Sequence, residues 1–228
     1  MANASDAASA SERAYQTIRD AILDGTHEPG TMLGEAPLAA SLGVSRTPVR
    51  VALARLQDEG WIVVYPKRGA LVQGLSERTI AELADARFIL ETTGVDRASD
   101  AVRQRLADRL DASLDEQRAA LANDDTRLFI DLTRAFHRSF VEASDNSVLL
   151  ELYERLSDRH RFVLFASGDR LRARATEIIR EHERLIAHVR TGSVEAFSTA
   201  LRDHIAEVPS EVNPRPTGGL RTAAVSPE

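Results

Sequence analysis

"LGVSRTPVRVALARLQDEGW", residues 42–61, decides how the rest of the chain is read. It opens on a tight turn at 43–45 and continues into a helix over 46–59. Ser45 is placed to cap that helix, Pro48 falls in its tolerant first turn and Gly60 closes it. At roughly 100° per residue, Val49, Ala52, Leu53 and Leu56 gather on one arc that has to pack against other elements. Thr47, Arg50, Val51 and Ala54 point the other way. Arg46 stands at the amino-terminal edge, where a helix entering a DNA groove first meets base edges. Two readings follow. The arginines either solvate the outer face of an ordinary helix, or they reach guanine O6 and N7 or a phosphate while Ser45 and Thr47 donate to phosphate oxygens.

The neighbouring sequence favours the second reading. Upstream, a helix over 12–23 places Tyr15, Ile18, Ile22 and Leu23 at helical spacing, and "DGTHEPG" ends it. A short helix near 36–41 follows, stopped by Gly43. Downstream, "WIVVYPKRGALVQG" reads as two β-rich runs around a Pro-Lys-Arg-Gly turn. Three helices and a hairpin in that order form a winged helix-turn-helix over residues 12–75. Lys67, Arg68 and Gly69 occupy the tip of the wing, where cations meet phosphate and glycine permits close approach.

Charge is distributed to match. The formal net charge is −6, yet residues 45–68 hold five cations against two acids, while residues 76–208 carry 20 arginines against 25 acids. A small basic face beside an acidic body is compatible with DNA, because only the docking surface meets phosphates. With 228 residues, 43% of them hydrophobic, the chain is long enough for two domains with cores of their own. No cysteine is present, which excludes disulfides and thiolate metal sites. No apolar run of roughly 18 residues occurs. A soluble, cytoplasmic protein with no membrane partner is the expectation. Residues 1–11 and the Pro/Gly/Ser-rich stretch 209–228 are expected to be disordered.

From residue 76 onward strand signals vanish. Helices are predicted near 77–98, 101–122, 125–144, 147–166, 170–191 and 193–208, separated by short breaks such as "ANDD" and "SGD". The predicted fold is therefore mainly α: an amino-terminal winged helix-turn-helix, then an all-α antiparallel bundle over 76–208. Three histidines lie on apolar helix faces of that bundle. His137 has Ile130, Phe140 and Val141 beside it, His182 has Ile178, Ile179, Leu185 and Ile186, and His204 has Phe197, Ala200, Leu201 and Val208. Each taken alone reads as a core histidine. Together they could hold zinc or a similar divalent ion with neutral imidazoles. His160 and His188 do not fit this set and are expected at the surface or behind it.

"LGVSRTPVRVALARLQDEGWI" followed by "PKRGALV" closely resembles the DNA-binding module of the GntR family of bacterial transcription regulators, and the helical remainder resembles the FCD effector domain of its FadR subfamily. The resemblance spans residues 12–208. It implies DNA contacts at Ser45, Arg46, Thr47, Arg50 and around Gly69, a homodimer on a pseudo-palindromic operator, and no enzymatic activity. Two positions depart from the family's pattern: Val51 stands where Glu is usual and Ala36 where Arg is frequent. Metal-binding FCD domains supply an Asp and a His four residues apart plus two later histidines. His137, His182 and His204 match, but Thr133 stands at the Asp position. Asp131 projects to another face and does not replace it. The implied ion, zinc or else nickel or manganese, is then left with three neutral ligands. The implied effector is a small carboxylate, with Thr133, Arg87 and Arg134 as partners, although either arginine could equally be held in a structural ion pair. A metal-responsive regulator and a three-histidine hydrolase are the alternative functions, and Asn146 is expected to cap a helix.

Overall fold

The computed structural model describes residues 4–206. The amino-terminal unit consists of α1 (Ala4–Leu23), β1 (Met32–Leu33), α2 (Glu35–Leu42), α3 (Arg46–Asp58), β2 (Ile62–Tyr65) and β3 (Gly69–Val72). Tyr15, Ile18, Ile22 and Leu23 from α1 pack on Val49, Ala52, Leu53 and Leu56 from α3, all buried. The apolar arcs of the two helices thus meet, and the outer face of α3 stays in solvent. Gly43 in the left-handed region ends α2 and turns the chain into α3.

Two features differ from the sequence expectation. The first helix begins at Ala4, so residues 4–11 are helical, because an Ala-rich run propagates a helix upstream of its amphipathic part. A third strand, β1, joins the hairpin and gives the sheet order β1-β3-β2, with Met32 opposite Leu71 and Leu33 opposite Ala70. Two residues are too few for alternation to reveal a strand.

The bundle comprises α4 (Glu77–Arg97), α5 (Asp100–Ala122), α6 (Thr126–Glu142), α7 (Ser147–Ala166), α8 (Gly168–Thr191) and α9 (Val194–Ala206). Ser76, Ser99, Asp125 and Asn146 each accept a backbone N–H at a helix start, which fixes where α4 to α7 begin. The predicted end of the last helix at 208 and the tail 209–228 lie outside the described residues. The central helix α6 packs on α4, α5 and α7, while α8 and α9 close the far side. Gly94 sets the closest approach: a Cβ there would lie 2.1 Å from the Phe140 carbonyl oxygen. Glycine lets α4 and α6 touch by backbone, bringing the residue one turn earlier, Glu91, onto His137.

The two units share a core. Ile80 and Leu83 from α4 and Phe162 and Val163 from α7 belong to the apolar cluster of the amino-terminal unit. Trp61 and Phe162 meet edge to face at 5.8 Å, the Arg159 guanidinium lies over Trp61 and donates to the Glu59 carbonyl, and Arg19 pairs with Asp158.

Candidate functional site

Two constellations carry chemistry, one on each unit. On the head, Arg46, Arg50, Lys67 and Arg68 line a single open groove between the α2–α3 pair and the wing. The wing is held over α3 by Gln57, whose side-chain oxygen accepts the Val64 N–H at 2.9 Å. Lys67 takes a left-handed conformation with φ 62°, and the Arg68 N–H donates to the Tyr65 carbonyl at 3.0 Å, closing the tip. Ser45 is the N-cap of α3 in extended conformation, yet its side chain makes no capping bond. Thr47 is exposed beside it.

Gly69 meets a structural demand besides the wing-tip role the sequence offered. A Cβ at this position would lie 2.5 Å from the Leu33 carbonyl oxygen, and φ is +118°. The glycine is therefore demanded by the approach of β1 to β3. The basic set is also smaller than the linear count of residues 45–68 indicated. Arg55 lies over the Tyr15 ring and pairs with Glu12 and Glu59, away from the groove. Arg50 keeps one bond, from Nε to Glu35 Oε2 at 2.7 Å, and its side chain remains 63% exposed.

In the bundle, α6, α8 and α9 bring His137, His182 and His204 together, all buried, with one ring nitrogen of each within 4.8 Å of the others. Every Nδ1 has an outer partner. His137 Nδ1 faces Glu91 Oε2 at 2.7 Å, His204 Nδ1 faces Glu181 Oε2 at 2.6 Å, and His182 Nδ1 faces Gln117 Oε1 at 2.9 Å. Gln117 is oriented for this by donating its amide to Ser113. Carboxylate and amide oxygens accept, so the Nδ1 atoms donate and the Nε2 lone pairs turn inward.

The inner edges show what such a set can hold. His137 Nε2 and His204 Nε2 stand 3.0 Å apart, and His182 Nε2 is buried with no hydrogen-bond partner. Burial holds His137 and His182 well below the ordinary imidazole value, and neighbouring positive charge adds to the effect. Neutral imidazoles with oriented tautomers suit a divalent ion, which takes nitrogen ligands at about 2.0–2.1 Å after modest side-chain shifts. Phe136 stacks on His182 at 4.1 Å between ring centroids and fixes its plane.

A cavity of about 40 Å³ adjoins His137 and His204, walled by Leu164, Leu171 and Ile178. One water needs about 10–15 Å³ by the same measure, so there is room for a small ligand's polar end. Thr133 lines the cavity, buried, with its hydroxyl unpartnered, and so does Ser167. Arg87 lines it too. Its Nε donates to Glu91 at 3.0 Å and its Nη1 to His160 Nε2 at 2.6 Å, while Nη2 has no partner. Arg87 is thus structurally paired and also presents a free donor. Burial pushes the Glu91 carboxyl up, and the Arg87 guanidinium draws it back.

One expectation is corrected here, one is narrowed and two residues are added. Arg134 does not line this cavity. Its guanidinium turns to α7, donating to Ser157 at 2.9 Å and pairing with Asp131, because one turn before His137 is already the α7-facing side of α6. Of the two positions expected for His160, the structure has the one behind the histidine set: it is buried, its Nε2 taken up by Arg87, and burial with the Arg87 charge holds it well below the ordinary imidazole value. Arg170 and Arg174 complete the wall from α8, and sequence reading missed both. Gln117 was legible in principle as the single polar residue on the buried stripe of α5, and Glu91 as one of a buried charged pair with Arg87 on that of α4.

A winged head with an exposed basic groove, joined through a shared core to a bundle with a cavity beside three buried histidines, defines a DNA-binding regulator with a sensory domain. Residues 10–72 match the family model described as "Bacterial regulatory proteins, gntR family", and residues 82–207 match the FCD domain. The chain is 32% identical to the HTH-type transcriptional regulator YdhC of Bacillus subtilis, over 83% of this chain and 85% of that one. It is 30% identical to the gluconate operon transcriptional repressor of Bacillus subtilis, over 90% and 86%. A GntR transcriptional regulator from Rhodococcus sp. RHA1 shares the fold with TM-score 0.73 at 24% identity, over 87% of this chain and 95% of that one. The chain belongs to the GntR family of transcription regulators, in the FadR subfamily that carries an FCD domain, and is not an enzyme. Among the described residues no helix is long and apolar enough to cross a membrane.

Proposed function

We propose that the protein is a homodimeric cytoplasmic repressor released from its operator by a small carboxylate. One head offers too few contacts for tight specific binding, so two are set on a pseudo-palindrome. In each, Arg46 and Arg50 reach base edges from α3, Ser45 and Thr47 bind phosphate, and Lys67 and Arg68 with Gly69 follow the adjoining backbone or minor groove. The repressor sign is carried over from the gluconate operon repressor.

The observation that carries the sensory half is the convergence of three buried histidines, each with its Nδ1 against an outer side-chain oxygen. His137, His182 and His204 would hold the ion, with zinc first and nickel or manganese next. When bound, the ion supplies a dication with an open position for an oxygen donor. Thr133 brings no negative charge to it, so an anionic effector is favoured, and Arg87 Nη2 with the Thr133 and Ser167 hydroxyls supplies donors for it.

Signal transfer runs through α7. His160 on this helix binds Arg87 at the cavity, while Asp158, Arg159 and Phe162 hold the head. An effector that recruits Arg87 alters its bond to His160 and biases the seat of the head, provided it prefers one arrangement over the other.

The test combines elemental analysis of the purified protein with a binding titration on a duplex selected from a random pool by the full-length chain. Metal is added alone, then with a panel of small acids that includes gluconate. The expected result is bound metal, lost on His182→Ala, and an acid that weakens DNA binding. A change of more than tenfold with metal alone would replace this reading by a metal-responsive regulator.

A further inference from the structure

The groove of the head contains an acid that DNA contact alone does not explain. Glu35, the first residue of α2, is the one acidic side chain among the described residues lining it, and there it faces Arg46, Arg50, Lys67 and Arg68. A carboxylate in such a place repels phosphates and subtracts from general DNA affinity. Its geometry gives a compensating role. Arg50 donates to Glu35 Oε2 through Nε alone, at 2.7 Å, and has no other bond. A guanidinium is a rigid planar fork, so fixing Nε fixes the direction of the Nη1 and Nη2 edge. That edge is the one that grips guanine O6 and N7 bidentately. Glu35 is itself only 32% exposed, whereas Arg50 is 63% exposed, so the acid is the seated partner and the arginine the presented one. As an exposed pair it contributes little to folding.

We infer that Glu35 is a positioning residue for sequence readout: it holds Arg50 by Nε with the terminal edge toward the duplex, and its charge penalises duplexes on which that edge finds no base partner. A flexible Arg50 would settle on any phosphate. A tethered one has less orientational freedom to lose at the right base and more to give up at the wrong one. The net effect is lower affinity for general duplexes, higher affinity for the right one, and a larger difference between the two.

This rests on Arg50 being a base-contacting residue, and the experiment separates the two. Full-length wild type, Glu35→Ala, Glu35→Gln, Arg50→Ala and Glu35→Ala/Arg50→Ala are titrated by anisotropy against the selected duplex and a shuffled duplex of the same composition. Arg50→Ala is expected to weaken the selected duplex about tenfold or more. Glu35→Ala is expected to strengthen the shuffled duplex several-fold and weaken the selected one, reducing their ratio about tenfold. Glu35→Gln keeps an acceptor for Nε and is expected to retain most of the selected affinity. In the Arg50→Ala background, removing Glu35 is expected to strengthen both duplexes equally. If Arg50→Ala leaves the selected duplex unaffected, the contact itself is wrong. If it weakens binding but Glu35→Ala leaves the ratio intact, or shifts only the melting temperature, Glu35 is an ordinary surface pair and the inference falls.

Discussion

The head and the bundle use the same residue types in opposite ways. On the head, cations stand in solvent: Arg46, Lys67 and Arg68 are exposed, and Arg50 is exposed with a single half-buried partner. In the bundle the charged and polar groups are enclosed, and most are committed. Glu91 alone meets Arg87, His137 and Tyr153. A long polyanion is recognised by summing many screened contacts, each of them adjustable. A small ion or acid has few atoms to contact, so its site must be preorganised to fractions of an ångström by packing and hydrogen bonds behind it. Tolerance to substitution should differ accordingly.

The largest expected effect tests that rigidity. Gly94→Ala places a methyl against the Phe140 carbonyl and forces α4 off α6, so chemical denaturation should show a loss of about 3 kcal/mol or more. Unchanged stability would mean the backbone contact is loose. Next, Gln117→Leu leaves His182 Nδ1 without its acceptor, and metal affinity should fall about 10- to 100-fold in a competitive chelator titration. Head function should be untouched: its operator affinity in chelator is expected to equal that of wild type.

Arg46→Ala and Arg50→Ala should each remove about 1–3 kcal/mol of specific DNA binding while leaving the melting temperature in place. The neighbouring Arg55→Ala serves as the control. Its guanidinium is committed to Tyr15, Glu12 and Glu59, so operator affinity should not change. Equal losses for Arg50 and Arg55 would erase the division between presented and committed arginines. The smallest effect per group is a pH dependence. The folded values of His137, His160 and His182 lie below the unfolded value of about 6.5, so the unfolded chain takes up protons first. Stability of chelator-treated protein is then complete above about pH 6.5. Below it, up to about 1.4 kcal/mol is lost per pH unit and histidine, until each folded value is passed. A flat profile between pH 7 and 5.5 would place these rings in water.

How legible this was depended on locality. The recognition helix could be read because its apolar arc, cap and terminators fall within twenty consecutive residues. The convergence of His137, His182 and His204 was hinted at by their apolar neighbours, since a polar residue on a buried stripe needs partners. The partners themselves came from helices distant in sequence, and nothing local names Gln117 as the acceptor for His182. Arg134 was misplaced for the same reason. Helical spacing locates a residue on its own cylinder but not the neighbour it faces, and α7 claimed that side. The burial of His160 was left open because its segment, "LSDRHRF", looks solvated, whereas Asp158 and Arg159 within it face the head. The structural demand on Gly69 was not legible, because a two-residue strand on the other side of it left no periodic trace.

The shared core between head and bundle bears on how such regulators can be rebuilt. A cut at residue 75 would follow the change in sequence pattern, yet it would strip Ile80, Leu83, Phe162 and Val163 from the head and leave Trp61 facing solvent. An exchange of sensory modules therefore has to carry the α7 seat along with the graft, or redesign it. New inducers would be transplanted together with a strip of foreign helix, and the wired response would depend on how well that strip fits its host.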